Sequence, residues 1–396
     1  MKILMVNKFL YPNGGSETYI FKLGDCLKAL GHEVEYFGME HEGNCVSNSL
    51  GLYTGDMDFH TASKLTQLSY TLKTVYSPEA KKKMRLLLES FAPDVVHLNN
   101  FNYQLTPSVI YAVKDYEKKT GKRVKIIYTA HDYQLVCPNH MMLDSFGNIC
   151  EKCAKGDYMS CFKNSCVHSS KAKSLIGSIE ASLYKALKAY KHIDAVICPS
   201  EFMKTKLDLN PALKGKTLTL HNFIDKAPVG KTEKEDYVLY FGRYSKEKGI
   251  KNILEAKGIN FICAGSGELE KEIEKAGIKN VGFKTGRELE ELISKAVCSV
   301  YPSTWYENCP FSVMESISLG TPVIGADIGG IPELIENGKT GFLFKSGNTA
   351  DMEEKIKALT ENSSLANEMS RNCLDYKFDT AEAYTKKLLK IYETEG

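Results

Sequence analysis

The chain has no long hydrophobic run. Nothing in it approaches the 18 or more consecutive apolar residues that a membrane-spanning helix requires. It has no excess of charge of either sign: 51 Lys and Arg stand against 49 Asp and Glu, a formal net charge of +2. Composition therefore carries no footprint of bulk nucleic-acid binding. No secretory leader is expected, since MKILMVNKFL is too short and too polar for one and runs straight into a strand–loop–helix pattern. The location expected from these absences is the cytoplasm. Most of the 12 cysteines stand singly in apolar segments, as Cys198, Cys263 and Cys298 do, and are expected as buried thiols.

What is present is an ordinary globular balance, 43% hydrophobic over 396 residues, enough for two domains with a core each. Lys2 to Val6 reads as a strand, Tyr11 to Glu17 as a turn-rich loop, and Thr18 to Leu30 as a helix ended by Gly31, with Ile20, Leu23, Leu27 and Leu30 at helical spacing. Further strands are predicted at 33–37, 95–98, 124–129 and 195–198, with helices near 79–90, 107–119 and 172–190. Short apolar strands separated by helices predict a parallel sheet covered on both faces. Ligands of such sheets bind beyond the C-terminal strand ends. Gly14 and Gly15 lie at one such end, and His131 with Asp132 at another; a tight turn and a structural histidine are the plainer readings. The irregular stretch from Pro211 to Asp236, around a strand at 217–220, reads as an interdomain hinge. A second series follows, with strands at 237–241, 259–263, 280–282 and 298–301 and helices from about 248, 267 and 287. Thr380 to Glu393 is an amphipathic helix with Ala383, Leu388, Leu389 and Tyr392 near one face. The predicted class is α/β, with two Rossmann-like parallel-sheet domains, 1–222 and 223–378, across a cleft.

The densest chemistry lies between Tyr301 and Gly330, YPSTWYENCPFSVMESISLGTPVIGADIGG. A buried strand ends at Tyr301, Pro302 breaks it, and a polar loop enters a helix at about Pro310, where proline is preorganised for the first turn. The helix stops near Gly320. Glu307 and Glu315 flank this junction eight positions apart, which separates their carboxylates by about 10 Å or more at roughly 1.5 Å rise per residue. Two acids working on one glycosidic bond need roughly 5–9.5 Å. The spacing better suits an extended ligand across the helix N-terminus, with free N–H groups over residues 308 to 312 facing phosphate oxygens. This is the outline of a nucleotide-sugar site.

Phe241-Gly-Arg-Tyr-Ser-Lys-Glu-Lys-Gly249 sets Arg243 and Lys248 at another strand end. A guanidinium fork and an ammonium point charge would neutralise a diphosphate. A solvated loop would contain similar residues, but the strand–glycine junction before Arg243 favours the site. Lys81-Lys-Lys-Met-Arg85, with Lys64 and Lys73 upstream and leucines 86 to 88 beside it, is a basic patch. It reads either as a solvated helix face or as a peripheral contact with an anionic membrane, at the inner membrane face.

In their joint order, these segments resemble the retaining glycosyltransferase family 4 over nearly the whole chain: Gly14-Gly15-Ser16-Glu17, Pro93-Asp94-Val95-Val96-His97, His131-Asp132, Pro199-Ser200-Glu201, His221-Asn222-Phe223-Ile224-Asp225, Gly242-Arg243 with Lys248-Gly249, Glu307 with Glu315, and Gly320-Thr-Pro-Val-Ile through Gly329-Gly330-Ile-Pro-Glu333. The resemblance implies the GT-B fold, with the last helix, 379–396, crossing back onto the N-terminal, acceptor-binding domain. It implies retaining transfer of a hexosyl group from a nucleotide-diphosphate sugar, a UDP-sugar being favoured. The acceptor would be a glycan or lipid-linked hydroxyl in surface polysaccharide or glycoconjugate synthesis. Glu315 would hold the donor ribose and Glu307 would face the transferred sugar. Asn308, Cys309, Pro310, Phe311 and Ser312 would contact sugar and phosphate through their backbone. Arg243 and Lys248 would stabilise the leaving diphosphate, so no catalytic metal is expected. Gly282 and Phe283 match the loop framing the base, Gly14 and Gly15 would lie against diphosphate or acceptor, and His131 near the donor sugar. The competing readings are a nucleotide-sugar epimerase on the same scaffold, which lacks this Arg–Lys and Glu–Glu arrangement, and a non-catalytic nucleotide-sugar-binding protein.

An insertion at 137–168 holds Cys150-x2-Cys153-x7-Cys161-x4-Cys166. Four thiolates opening on Cys-x-x-Cys fit a structural zinc ion, at about 2.3 Å per Zn–S bond; free or redox-labile thiols are the plainer reading. Cys137 reads as a separate apolar thiol and His168 as a spare ligand. The resemblance extends to a subset of the family with such an insertion after the His-Asp motif.

Overall fold

A computed structural model describes residues 1–55, 73–225 and 232–394. The chain forms two compact units, each built on a six-stranded parallel sheet. Both sheets are assembled from runs such as AVIC in the first and FICA in the second, apolar at every position and buried at every position. That is what helices on both faces of a parallel sheet demand.

The first unit comprises Met1–Pro199, Met203–His221 and Ala381–Gly396. Its strands are β1 (Lys2–Val6), β2 (Glu33–Phe37), β3 (Val95–Leu98), β4 (Lys125–Thr129), β5 (Ala195–Cys198) and β6 (Thr217–Thr219), in the order β2-β1-β3-β4-β5-β6. The order reverses between β1 and β3. The helix after β1 spans Gly15–Ala29 and so starts three residues before the predicted Thr18. Glu17 sits in its first turn and accepts hydrogen bonds from Asn7 Nδ2 and Ser16 Oγ, and a carboxylate there also favours the helix dipole. Pro78–Phe91 begins with Ser77 capping the Ala80 N–H and with proline in its first turn, the arrangement expected of a helix start.

The C-terminal helix, Ala381–Glu393, packs on Gly15–Ala29, where the Tyr384 and Tyr19 hydroxyls are 2.8 Å apart. Its buried face is Ala381, Tyr384, Thr385, Leu388 and Tyr392. The predicted Ala383 and Leu389 flank it and are only partly buried. The helix is phased by its tyrosines, since Tyr392 also reaches His97 Nδ1 at 2.5 Å. The predicted hinge is ordered structure in its first part: β6 pairs in register with β5, Val196 opposite Thr217. Residues 226–231 of that stretch, like Lys64 of the basic patch, lie outside the described residues.

The second unit comprises Ser200–Phe202 and Asn222–Thr380. Its strands are β7 (Glu235–Phe241), β8 (Phe261–Ala264), β9 (Lys279–Asn280), β10 (Ala296–Tyr301), β11 (Val323–Ala326) and β12 (Gly341–Phe344), in the order β12-β11-β10-β7-β8-β9. Alternate residues of β7 serve two cores: Tyr237, Leu239 and Phe241 pack with Val313 and Ile317, while Val238 and Tyr240 pack with Ile253 and Ile356. Here the order reverses between β10 and β7, neighbours in the sheet. Their outgoing loops bracket the crevice where open α/β sheets bind ligands. One carries Arg243 and Lys248; the other carries Glu307.

Candidate active site

The loop after β10 is held by backbone contacts that only glycine permits. Gly249 has φ +73°, and a Cβ there would lie 1.7 Å from the Pro302 carbonyl oxygen, so the two loops touch at that point. The Thr304 N–H donates to the Glu247 carbonyl at 2.9 Å, a second tie. Gly330 donates its N–H to the Glu307 carbonyl at 2.7 Å, and a Cβ on it would fall 1.6 Å from the Asn308 oxygen. Asn222 Nδ2 fixes the Cys309 carbonyl at 3.0 Å.

Within this frame Lys248 Nζ donates to Glu307 Oε1 at 2.6 Å, and Ser303 Oγ donates to the same oxygen at 2.7 Å. The Glu307 side chain is 8% exposed. Burial by itself would raise its carboxyl, but the charge and hydrogen bond of Lys248, with Ser303 and Trp305, hold it below the ordinary value. Arg243 is exposed and donates to Glu247 Oε1 at 2.6 Å, where Ser245 Oγ also bonds. Each expected diphosphate cation is therefore already matched to a carboxylate.

The helix with Glu315 spans Phe311–Ser318, with Pro310 as its extended N-cap, which makes no side-chain cap hydrogen bond. Proline has no N–H, so the backbone donors expected over 308 to 312 exclude residue 310. Glu315 and Glu307 both act on the Tyr301 phenol, which burial and these two charges keep protonated. The structure thus gathers Arg243, Lys248, Glu307, Asn308 to Ser312 and Glu315 around two adjacent strand ends. Gly282 follows β9 with φ +72°, its amide bonded to Asn280 Oδ1. Phe283 is 74% exposed.

In the first unit, Gly14 is the extended N-cap and Gly15 the first residue of the helix after β1, both exposed. His131 follows β4 and donates from Nε2 to Asn99 Oδ1 at 2.9 Å, with the Tyr19 ring edge-on at 5.1 Å. Burial lowers it to about 4, against the pull of Asp132, so the ring is neutral at pH 7. Asp132 pairs instead with His140 Nδ1 at 3.0 Å.

Residues 13–227 match the family model described as Glycosyltransferase Family 4, and residues 222–374 match that of Glycosyl transferases group 1. The chain belongs to glycosyltransferase family 4. Among curated relatives, an uncharacterised glycosyltransferase of Methanocaldococcus jannaschii, MJ1178, is 29% identical over 57% of this chain and 67% of its own length. Among solved structures, sucrose-phosphate synthase from Thermosynechococcus elongatus aligns over 99% of this chain and 98% of its own, with a TM-score of 0.71 and 16% identity. Anabaena Alr3699/HepE in complex with UDP-glucose aligns over 99% and 100%, with a TM-score of 0.63 and 17% identity. The fold of this family 4 member is GT-B.

The cysteine segment of the glycosyltransferase lies in the first unit. Cys137, Cys150, Cys153, Cys161 and Cys166 are all free thiols. Among the described residues no group of three or more His, Cys, Asp or Glu side chains is placed to hold a metal ion. Cys153, Cys161 and Cys166 instead pack with Tyr158 and Ala181 in a small apolar core, while Cys150 is partly exposed. Cys137 is not set apart: burial pushes its thiol to about 12, and Cys166 and Cys150 are close enough to add to the rise. Thiols suit such packing as small apolar groups.

Sequence reading missed Ser303, Trp305, Glu247 and the Asp132–His140 pair as site residues. The first two lie inside the loop already singled out. The third looked like surface charge, and the fourth joins residues eight positions apart that only the fold of the insertion brings together.

Proposed function

We propose that the protein is a retaining hexosyltransferase that takes a nucleotide-diphosphate sugar and glycosylates a hydroxyl of a glycan or lipid-linked acceptor, in surface polysaccharide or glycoconjugate synthesis. The observation that carries this reading is the pairing of Lys248 with buried Glu307 at 2.6 Å, beside Arg243 and below an uncapped helix N-terminus. A diphosphate binds by exchange: its oxygens take the cations and the Phe311 and Ser312 amides, and Glu307 is released to the sugar hydroxyls. Glu315, one turn further along the helix, receives the ribose.

In the transfer, the bond from the sugar C1 to the β-phosphate oxygen breaks, and a bond from C1 to the acceptor oxygen forms on the same face. The acceptor proton passes to the departing phosphate oxygen. Arg243 and Lys248 take up the charge that develops there. Family membership and the exposed Arg243 guanidinium support this assignment. UDP is the favoured base because HepE, of the same fold, is seen with UDP-glucose. A lipid-linked acceptor is supported by the Pro78–Phe91 helix, which exposes Lys82, Arg85 and Leu86 side by side. Lys81 and Lys83 of that run are paired to Asp115 and Glu79 at 2.8 Å. Among the described residues no helix is long and apolar enough to cross a membrane, so any membrane contact through this patch would be peripheral.

A thermal-shift screen against UDP-, GDP- and ADP-sugars and the free nucleotides tests the donor. A ligand at a hundredfold excess over its Kd adds about 2.7 kcal/mol of stability. A shift with one base, lost in Glu315→Ala, identifies the donor; no shift with any of them overturns the reading. Product anomers resolved by NMR then test retention.

A further inference from the structure

Trp305 is the single tryptophan of the chain, and it stands on the loop between β10 and the Phe311–Ser318 helix, two residues before Glu307. The Lys248 ammonium lies over its ring, 5.4 Å from the centroid, while bonded to Glu307 at 2.6 Å. The Trp305 carbonyl accepts the Glu307 N–H at 2.9 Å, so ring and carboxylate are held on one rigid turn. The indole Nε1–H is shielded from solvent and lies beside the Glu307 carboxylate, whose charged form it helps to hold.

A cation on the face of an indole gains about 0.5–2 kcal/mol, the more so when water is excluded. Lys248 is therefore held from two sides, by a carboxylate and by a π-face. Of these, only Glu307 has another task when a sugar arrives.

We propose that Trp305 is the positioning residue that keeps the Lys248 ammonium in the site while its partner changes from Glu307 to the donor diphosphate. This rests on the donor reading given above. When an anion enters, the ammonium leaves Glu307 without leaving the ring, so it is never returned to water. Donor binding is coupled to the surroundings of Trp305, which no other tryptophan obscures.

The test uses the full chain, titrated with UDP, UDP-glucose, GDP and ADP, with tryptophan emission excited at about 295 nm and thermal shift read on the same samples. A saturable emission change with the same midpoint as the thermal shift is expected for the nucleotide that binds. Trp305→Ala weakens that nucleotide about tenfold, raising donor KM more than it lowers kcat. Trp305→Phe, which keeps a π-face, stays within about threefold of the native protein and keeps the variant series interpretable if the alanine form unfolds. A nucleotide that stabilises the protein while emission stays flat overturns the exchange and leaves the transferase reading standing. So does a folded Trp305→Ala that binds as tightly as the native chain. Absence of any thermal shift defeats the donor reading itself, and with it the exchange.

Discussion

The Lys248–Glu307 pair and the Arg243–Glu247 pair have the same length, 2.6 Å, and opposite surroundings. Lys248 and Glu307 are 25% and 8% exposed, whereas Arg243 is 61% exposed on a Glu247 that is 15% exposed and also bonded by Ser245. Removing one member of a buried pair strands the other charge, which costs about 3–5 kcal/mol, while an exposed pair is worth at most about 1 kcal/mol. Lys248→Met should therefore lower stability by about 3 kcal/mol in urea denaturation. The double variant Lys248→Met/Glu307→Gln should recover much of that loss and remain inactive. Arg243→Ala should leave the urea midpoint nearly unmoved and still lower kcat/KM about a hundredfold, because its role is toward the leaving group. Equal destabilisation by both single variants would contradict the assignment.

At the scale of elements, the site is two loops pinned together by glycines. Gly249 at φ +73° meets the Pro302 carbonyl, and Gly330 meets the Asn308 carbonyl. A β-carbon at either position collides with backbone, which cannot move aside as a flexible side chain can. Gly249→Ala adds left-handed strain of roughly 1 kcal/mol to that clash. Gly249→Ala and Gly330→Ala should each cost at least about 2 kcal/mol and displace the Glu307 loop. Gly277→Ala, also at positive φ but with open space where a Cβ would go, should cost only the backbone term. Calorimetry of the three variants separates collision from strain.

For the whole molecule, buried titratable groups set the response to pH. His97 is fully buried between Tyr392 and Thr129, and burial, with His131 nearby, lowers it to about 3. The unfolded chain protonates this ring below about 6.5 and the folded chain does not. Its contribution is thus complete above pH 6.5 and is lost as pH falls toward 3, about 3 kcal/mol of it by pH 4. Glu180 runs the other way. Burial alone pushes it up to about 8, with Oε1 unpartnered. The folded chain keeps its proton where the unfolded chain loses it near 4.5, so stability declines from there toward pH 8. Urea midpoints measured across pH 4 to 8 should show both arms. His97→Gln should flatten the acid arm and Glu180→Gln the alkaline arm; an unchanged profile in either variant would refute the corresponding assignment.

The sequence by itself determined the class and order of the elements, because alternating apolar strands and amphipathic helices have one economical packing, a parallel sheet covered on both faces. It also placed Arg243, Lys248 and Glu307 on loops that follow strands and Glu315 inside the next helix, since chain direction and helix starts are local properties. The tertiary structure alone decided which of those residues meet. The Lys248–Glu307 pair joins positions 59 apart because β7 and β10 are neighbours, a fact of sheet order that no local pattern encodes. The same holds for Trp305 under Lys248, for the phase of the last helix set by Tyr19 and His97, and for the thiols packed around Tyr158. Local propensity chooses elements; long-range burial chooses partners.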